Sequence, residues 1–213
     1  CETALNDYLV EMALALYIEH FERAEEQLPQ GWGRKPLSSF FPVKTGKKDA
    51  NIATEKGRYP FFTCSQKSLL TDAYSFDGAA ILVAGNGDFN VKWYVGKFEA
   101  YQRTYVLMPD NSELLGYLYC AVKRNLDLIA SGSRGSVIKF ITKGNIANCE
   151  IAVPLALEEN ATVQRLSLIL KTIDAHKRES EALEELRDAL LPRLVSGKID
   201  VSSINPKNHI ENL

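Results

Sequence analysis

The sequence predicts an α+β protein in which a mixed β-sheet domain lies between an N-terminal helix and a long C-terminal helix. Apolar residues recur every three or four positions near both ends of the chain, which is the spacing of an amphipathic helix. Between these ends, short apolar runs are separated by turn residues, as in a sheet. The predicted parts are an N-terminal helix (1–30), a sheet domain (31–153) and a C-terminal helix with its tail (154–213).

The N-terminal helix is predicted over residues 3–27. Pro29 and Gly31 follow it and are suitable residues to end it. Its apolar stripe is formed by Leu5, Leu9, Met12, Leu16 and the segment Ile18–Phe21.

Seven apolar runs in the middle of the chain predict strands. They are Leu37–Val43, Tyr59–Cys64, Ala79–Ala84, Val91–Val95, Arg103–Met108, Val137–Thr142 and Ile146–Val153. The third and fourth runs flank the pair Asn86-Gly87, which is the strongest short-range signal of a β-hairpin. We expect a type I′ turn at this pair, because both central residues of that turn need positive φ.

Two further helices follow from apolar spacing. One is expected over residues 111–129, capped by Asn111 or Ser112. The other should run from Pro154 to about Leu191, where Pro192 is expected to end it. At ~1.5 Å per residue such a helix is about 55 Å long. We expect the two terminal helices to pair as an antiparallel coiled coil.

Composition excludes several classes of function. The chain is 46% apolar and 24% charged, as is usual for folded soluble proteins. It has no run of the ~20 apolar residues that a bilayer requires and no secretory leader, so we expect no membrane association and a cytoplasmic location. Its four cysteines and three histidines are scattered, without metal-ligand spacing. With no nucleophile and base in a recognisable pattern, the sequence predicts neither a catalytic site nor a metal site.

The charges are unevenly distributed. Residues 31–150 contain 16 Lys and Arg against 10 Asp and Glu, whereas both flanking segments are acidic. A basic middle segment is typical of a surface that binds phosphates. Ordinary scatter of charges explains a surplus of this size equally well.

Three groups of residues are candidates for binding nucleic acid. Ser133 and Arg134 lie in a hydroxyl-rich loop that could contact phosphates or guanine, or could be a plain surface linker. Gln102 and Arg103 suit adenine and guanine edges, although Arg103 could instead pair with Glu99 or Asp88. The third group is a basic turn that suits phosphate, formed by Lys44, Lys47 and Lys48.

Several segments occur in an order that resembles one half of a type I restriction–modification specificity subunit. They are Leu5–Ala13 with Phe21, Gly31-Trp32, Tyr59–Ser65, Phe76–Gly78, Ala84–Gly87, Lys97–Thr104, Glu185–Leu194 and Gly197–Val201. Residues Pro154–Asn160 depart from the family's pattern, because they replace a proline-proline-leucine-glutamate-glutamine stretch.

The resemblance implies a non-catalytic subunit whose target-recognition domain reads one half of a two-part site in double-stranded DNA. Its partners would be a methyltransferase subunit that uses S-adenosylmethionine and an endonuclease subunit that uses ATP and Mg²⁺, in the prokaryotic cytoplasm. The chain itself would hold no cofactor. Because full subunits contain two such halves, the resemblance also implies either a half-length subunit that forms a homodimer or a fragment of a longer one.

Under this resemblance, the candidate DNA-binding residues are Lys44, Lys47, Lys48, Asn86, Lys92, Gln102, Arg103, Ser133 and Arg134. The alternative is a coiled-coil protein-interaction module whose β domain binds a ligand other than DNA.

Overall fold

The computed structural model describes residues 2–131 and 140–196. Contacts between residues divide the chain into two units, Cys1–Thr172 and Ile173–Leu213. The helices are α1 (Glu2–Tyr17), α2 (Arg23–Glu26), α3 (Leu115–Arg124), α4 (Leu126–Ser131), α5 (Lys143–Ala147) and α6 (Ala161–Val195). The strands are β1 (Trp32–Pro36), β2 (Val43–Thr45), β3 (Tyr59–Phe62), β4 (Leu69–Thr71), β5 (Phe76–Ala84), β6 (Val91–Ala100), β7 (Thr104–Leu107) and β8 (Glu150–Pro154). None of the described helices is long and apolar enough to cross a membrane.

The strands form a mixed six-stranded sheet and a separate two-stranded sheet, which confirms the predicted α+β class. The order in the large sheet is β2-β7-β5-β6-β3-β4, and β1 pairs with β8. Strands β3 and β6 are parallel, whereas the other neighbouring pairs are antiparallel. One apolar core cluster of the large sheet consists of Phe62, Ala80, Leu82, Phe98, Ala100 and Val106.

The hairpin β5–β6 contains a pair of facing glycines with positive φ. Gly78 and Gly96 are directly opposite each other in the register, and their φ angles are +131° and +135°. Residues with a Cβ rarely adopt such angles, so glycine is needed at both positions. Facing glycines without side chains let both strands bend at the same level.

The hairpin itself is confirmed, but its predicted turn is wrong. The strands are joined through Gly85–Asn90, and the amide of Ala84 still donates to the carbonyl of Asn90 at 3.0 Å. Gly87 has a φ of +72°, yet no non-glycine residue among the described ranges has positive φ, so Asn86 does not form a type I′ turn. Asn86 instead pairs with Phe140, and this long-range bridge overrides the local preference.

The predicted N-terminal helix is present as α1, a π-helical turn (Ile18–Glu22) and α2. Tyr17 and Phe21 are fully buried and stack with ring centroids 5.2 Å apart. Both rings also contact Tyr117 of α3, and Phe21 contacts Trp32 of β1. The C-terminal part of this helical segment therefore packs on the sheet domain.

The helix predicted over residues 111–129 is divided into three short elements. The side chain of Asn111 accepts a hydrogen bond from the amide of Glu113 at the start of a 3₁₀ turn (Ser112–Leu114), which confirms it as a cap. Helices α3 and α4 follow and are separated at Asn125.

The segment before β8 was predicted wrongly. Residues 143–147, expected to be a turn followed by a strand, form α5. Thr142 and Asn145 make a reciprocal capping box, with Oγ1 of Thr142 accepting from the amide of Asn145 at 3.2 Å. This cap outweighs the β-like run that begins at Ile146, and the strand itself starts at Glu150. Of the strand predicted over Val137–Thr142, the first three residues lie outside the described ranges, and Phe140 forms only an isolated bridge.

The first predicted run, Leu37–Val43, also needs correction. Residues 37–39 form a 3₁₀ turn, so β2 begins only at Val43. The strands β1 and β4 were not predicted, because each is short and largely exposed and lacks an apolar run.

The C-terminal helix differs from the prediction at both ends. It starts at Ala161 and not after Pro154, because Pro154 pairs with Trp32 in β8. The carboxamide oxygen of Asn160 caps the helix by accepting from the amides of Thr162 and Val163. Pro192 does not end the helix. Its missing amide removes one hydrogen bond, while the next turn closes between the Ser196 amide and the Pro192 carbonyl at 3.1 Å.

In the second unit, α6 presents exposed leucines. They are Leu183, Leu186, Leu191 and Leu194, each at least 38% exposed. Coiled-coil pairing of the terminal helices stays a prediction.

Replacing Gly96 by alanine tests the bend of the hairpin. A Cβ at a φ of +135° is strained, so we expect Gly96→Ala to reduce the free energy of unfolding by about 1–2 kcal/mol. For a chain of this size, that corresponds to a decrease in Tm of roughly 2–8 °C in calorimetry. Gly33→Ala is the matched control, because nothing lies within 4 Å of a Cβ at Gly33. Equal Tm values for the two variants would contradict the role of the bend.

Candidate nucleic-acid interface

Five segments meet at one edge of the large sheet, which we name the loop edge: residues 45–48, 63–68, 85–90, 101–103 and 140–142. Backbone hydrogen bonds join them. The amide of Tyr101 donates to the carbonyl of Phe62 at 2.9 Å, and the amide of Gln102 donates to the carbonyl of Lys48 at 3.0 Å. The amide of Gly85 donates to the carbonyl of Arg103 at 2.9 Å, and the amide of Ile141 donates to the carbonyl of Gly85 at 3.0 Å. Segments that are distant in sequence are therefore tied into one surface by backbone bonds.

The basic turn lies directly beside the turn Tyr101–Arg103. The amide of Gly46 donates to the carbonyl of Thr104 at 3.1 Å, and a Cβ at Gly46 would lie only 1.9 Å from the carbonyl oxygen of Ala100. Glycine is thus required by the close approach of two backbones. This approach places the exposed side chains of Lys47 and Lys48 next to residues 101–103. Lys44 is also exposed, on the neighbouring strand β2.

Gln102 and Arg103 are exposed at the tip of the tight turn between β6 and β7. The turn is closed by the amide of Thr104, which donates to the carbonyl of Tyr101 at 2.8 Å. Glu99 is fully buried and accepts a hydrogen bond from the hydroxyl of Ser75 at 2.6 Å, so it is not the partner of Arg103. Within residues 2–131 and 140–196, no ion pair joins Arg103 to a carboxylate. Its guanidinium is available to a ligand.

Asn86 and Lys92 point into the loop edge and are only partly exposed. The carboxamide oxygen of Asn86 accepts from the thiol of Cys64 at 3.0 Å. The ammonium of Lys92 donates to the carbonyl oxygens of Thr63, at 3.3 Å, and Ser65. Burial lowers the pKa of Lys92 below its ordinary value. Both predicted DNA contacts therefore already have partners within the protein.

The predicted residues Ser133 and Arg134 lie outside the described residues. The chain is described again from Phe140, whose side chain is 46% exposed. Ile141 is held at the loop edge, because its carbonyl accepts a hydrogen bond from the hydroxyl of Tyr105 at 2.7 Å.

The segment Ser65–Ser68 was missed by the sequence prediction, although it belongs to the loop edge. All four of its side chains are exposed, and they include Gln66 and Lys67. A run of polar residues directly after the apolar strand β3 was the available signal.

Cationic side chains predominate on the loop edge. Within its five segments, the exposed basic residues are Lys47, Lys48, Lys67 and Arg103, against one exposed carboxylate at Asp88. Such a surface favours an anionic ligand.

The described cysteines do not form a metal site. Cys120 and Cys149 are buried, and burial raises the pKa of Cys120 to about 12, so its thiol stays protonated. No group of three or more metal-ligating side chains occurs in the part of the chain that the structure describes.

Residues 29–185 match the family model of the type I restriction modification DNA specificity domain. The chain belongs to this family. The specificity subunit of the Escherichia coli type I restriction enzyme EcoDI is 36% identical over 177 residues, which cover 81% of this chain and 40% of that subunit. The MjaIX specificity subunit of Methanocaldococcus jannaschii is 21% identical over 243 residues, and the match covers 93% of this chain and 55% of that subunit. The chain therefore spans about half the length of the curated specificity subunits it matches.

Solved structures of specificity subunits have the same fold. The S subunit of a type I restriction–modification system from M. genitalium has a TM-score of 0.61 at 17% sequence identity, and the match covers 91% of this chain and 55% of that subunit. The HsdS subunit from Thermoanaerobacter tengcongensis has a TM-score of 0.51 at 19% identity, with coverages of 90% and 52%.

Proposed function

We propose that this chain recognises one half of a two-part site in double-stranded DNA and gives sequence specificity to methyltransferase and endonuclease subunits. The observation that carries the proposal is the exposed group Lys47, Lys48, Gln102 and Arg103 on the loop edge of a chain from the DNA specificity family. The comparisons give no support to the alternative of a β domain that binds a ligand other than DNA.

The side chains of the loop edge divide into two kinds of contact. Lysine ammonium groups neutralise phosphates and fix position, without reading sequence. A guanidinium can donate two hydrogen bonds to the O6 and N7 atoms of guanine, and a carboxamide can pair with N6 and N7 of adenine. In the proposed complex, Arg103 and Gln102 face base edges in the major groove, while Lys47 and Lys48 contact the backbone.

In this proposal, methylation and cleavage of DNA are catalysed by the partner subunits and not by this chain. The methyltransferase subunit would bind S-adenosylmethionine, and the endonuclease subunit would bind ATP and Mg²⁺. The chain would act in the prokaryotic cytoplasm without a cofactor of its own.

The leucines of the second unit support assembly through helices. Leu183, Leu186, Leu190 and Leu194 recur every three or four residues, which is the spacing of a helix-pairing seam. We infer that this seam pairs with that of a second copy in a homodimer. At ~1.5 Å per residue, the helix α6 is about 50 Å long, which would suit two half-sites separated by more than one ~34 Å turn of duplex.

Replacing Lys47 by alanine tests phosphate contact. We expect Lys47→Ala to weaken binding of every duplex similarly and to reduce the slope of log K against log salt by about 1. The measurement is fluorescence anisotropy of the full chain with labelled duplex over a range of salt concentrations. Lys35→Ala is the control, since Lys35 is an exposed lysine on the separate two-stranded sheet. An unchanged slope for Lys47→Ala would contradict the assignment.

Replacing Arg103 by alanine tests base reading. The half-site is first selected from a randomised duplex library with the wild-type chain. Each base pair of the selected half-site is then substituted in turn. We expect Arg103→Ala to lose about 1–3 kcal/mol of discrimination at one base pair, because the bidentate contact is absent. Retention of discrimination at every base pair would remove Arg103 from the reading residues.

Replacing Leu186 by glutamate tests the helical seam. A charge on an apolar seam is costly to bury, so we expect the Leu186→Glu chain to be monomeric where the wild-type chain is dimeric. Light scattering coupled to size exclusion measures the mass of each. The control is Glu185→Ala on the opposite side of the helix. A monomeric wild-type chain at all concentrations would refute the homodimer.

A further inference from the structure

The first half of the loop between β3 and β4 is held by hydrogen bonds to other segments, and the side chains of its second half are exposed. Its first three residues, Thr63–Ser65, contribute backbone carbonyls to hydrogen bonds with side chains of other segments. Its next residues, Gln66, Lys67 and Ser68, are exposed. We call Thr63–Ser68 the β3–β4 loop.

Three side chains from other segments anchor this loop, those of Lys92, Asn90 and Asn86. The ammonium of Lys92 donates to the carbonyls of Thr63 and Ser65, and the Nδ2 atom of Asn90 donates to the carbonyl of Cys64 at 2.8 Å. The thiol of Cys64 in turn lies within hydrogen-bond distance of Asn86 Oδ1 at 3.0 Å and of the Arg103 carbonyl at 3.4 Å. The β3–β4 loop is therefore tied to the same turn that carries Arg103.

The anchoring has a physical cost that a plain surface loop would avoid. A lysine ammonium in water is fully hydrated, whereas Lys92 is partly buried and uses its protons on protein carbonyls. Asn90 is 8% exposed, and its Nδ2 atom donates both described side-chain hydrogen bonds, one to the carbonyl of Cys64 in the β3–β4 loop and one to the carbonyl of Asp88 in the hairpin loop. The hydrogen bonds of Lys92 and Asn90 restrict the backbone conformations of the loop. Less conformational entropy is then lost when its exposed side chains bind a ligand.

We propose that the β3–β4 loop is a second base-reading element, in which Gln66 is a specificity-determining residue, Lys67 contacts a phosphate, and Lys92 is the positioning residue that holds the loop in register with Arg103. The inference rests on the proposed DNA recognition. The carboxamide of Gln66 offers the donor and acceptor that pair with adenine N6 and N7, and the ammonium of Lys67 suits a phosphate as a point charge. Lys92 acts through the loop and does not itself touch DNA.

The test compares four variants of the full chain on a selected half-site and its single-base-pair substitutions. We expect Gln66→Ala to lose about fivefold or more of the preference at one base pair, different from the one read by Arg103. Lys67→Ala should reduce the salt slope by about 1 without changing base preference. Gln30→Ala, another exposed glutamine, is the control and should change neither.

Lys92→Met separates positioning from direct contact. Methionine has a similar length but cannot donate to the loop carbonyls. We expect the variant to lose the same base-pair preference as Gln66→Ala, to keep the wild-type salt slope, and to exchange the amides of Ser65–Ser68 faster with deuterium. A reduced salt slope with preference retained would make Lys92 a phosphate contact and overturn its positioning role.

The outcomes distinguish this inference from the proposed function. If the wild-type chain shows no selective, salt-dependent binding of duplex DNA, the proposed function itself fails. If the wild-type chain is selective and Gln66→Ala keeps the same base preferences, only the second reading element is refuted. Because Gln66 is exposed, its replacement tests the inference even if Lys92→Met does not fold.

Discussion

The facing glycines Gly78 and Gly96 are the constraint on which the loop edge depends. In the register of the hairpin, Val83 pairs with Val91 at one end and Phe76 with Phe98 at the other. The residues that follow β6 nevertheless return to the first end, where Arg103 accepts a hydrogen bond from Gly85. A flat hairpin keeps its two ends a full strand length apart, so this return requires the strands to bend and coil. The core cluster contains both Leu82 and Ala100 for the same reason.

Coiling brings together residues that local sequence cannot relate. The turn Tyr101–Arg103 meets the basic turn, the hairpin loop and the end of β3, and each meeting is fixed by a main-chain hydrogen bond. Main-chain bonds do not depend on which side chains the loops carry. The loop edge therefore combines a fixed frame with exposed side chains that are free to differ, which is the arrangement expected of a surface whose task is discrimination.

Apolar spacing and apolar runs predicted most of the longer elements. The N-terminal helix and the helix after Asn111 were predicted from helical spacing, and β3, β5, β6 and β7 from apolar runs bounded by turn residues. Residues 143–147 were misassigned, since a reciprocal cap at Thr142 determines their conformation. At the site, Arg103 and Lys47 could be chosen from charge alone. The proposed roles of Lys92 and Gln66 depend on contacts between segments that are distant in sequence. The local pattern of apolar and polar residues does not show which distant segments come together.

The aromatic contact between the N-terminal helix and α3 affects how specificities could be exchanged between related chains. Tyr17 and Phe21 are buried against Tyr117, and Arg124 is bonded to Glu22 at 2.5 Å. A chimera joined just before Gly31 would give the transplanted module a foreign helix in place of these rings. Tyr117 would then lose its packing partners unless the donor helix supplied equivalent ones. A graft that starts upstream of Ala13 includes Tyr17 and Phe21, so that Tyr117 keeps its own aromatic partners.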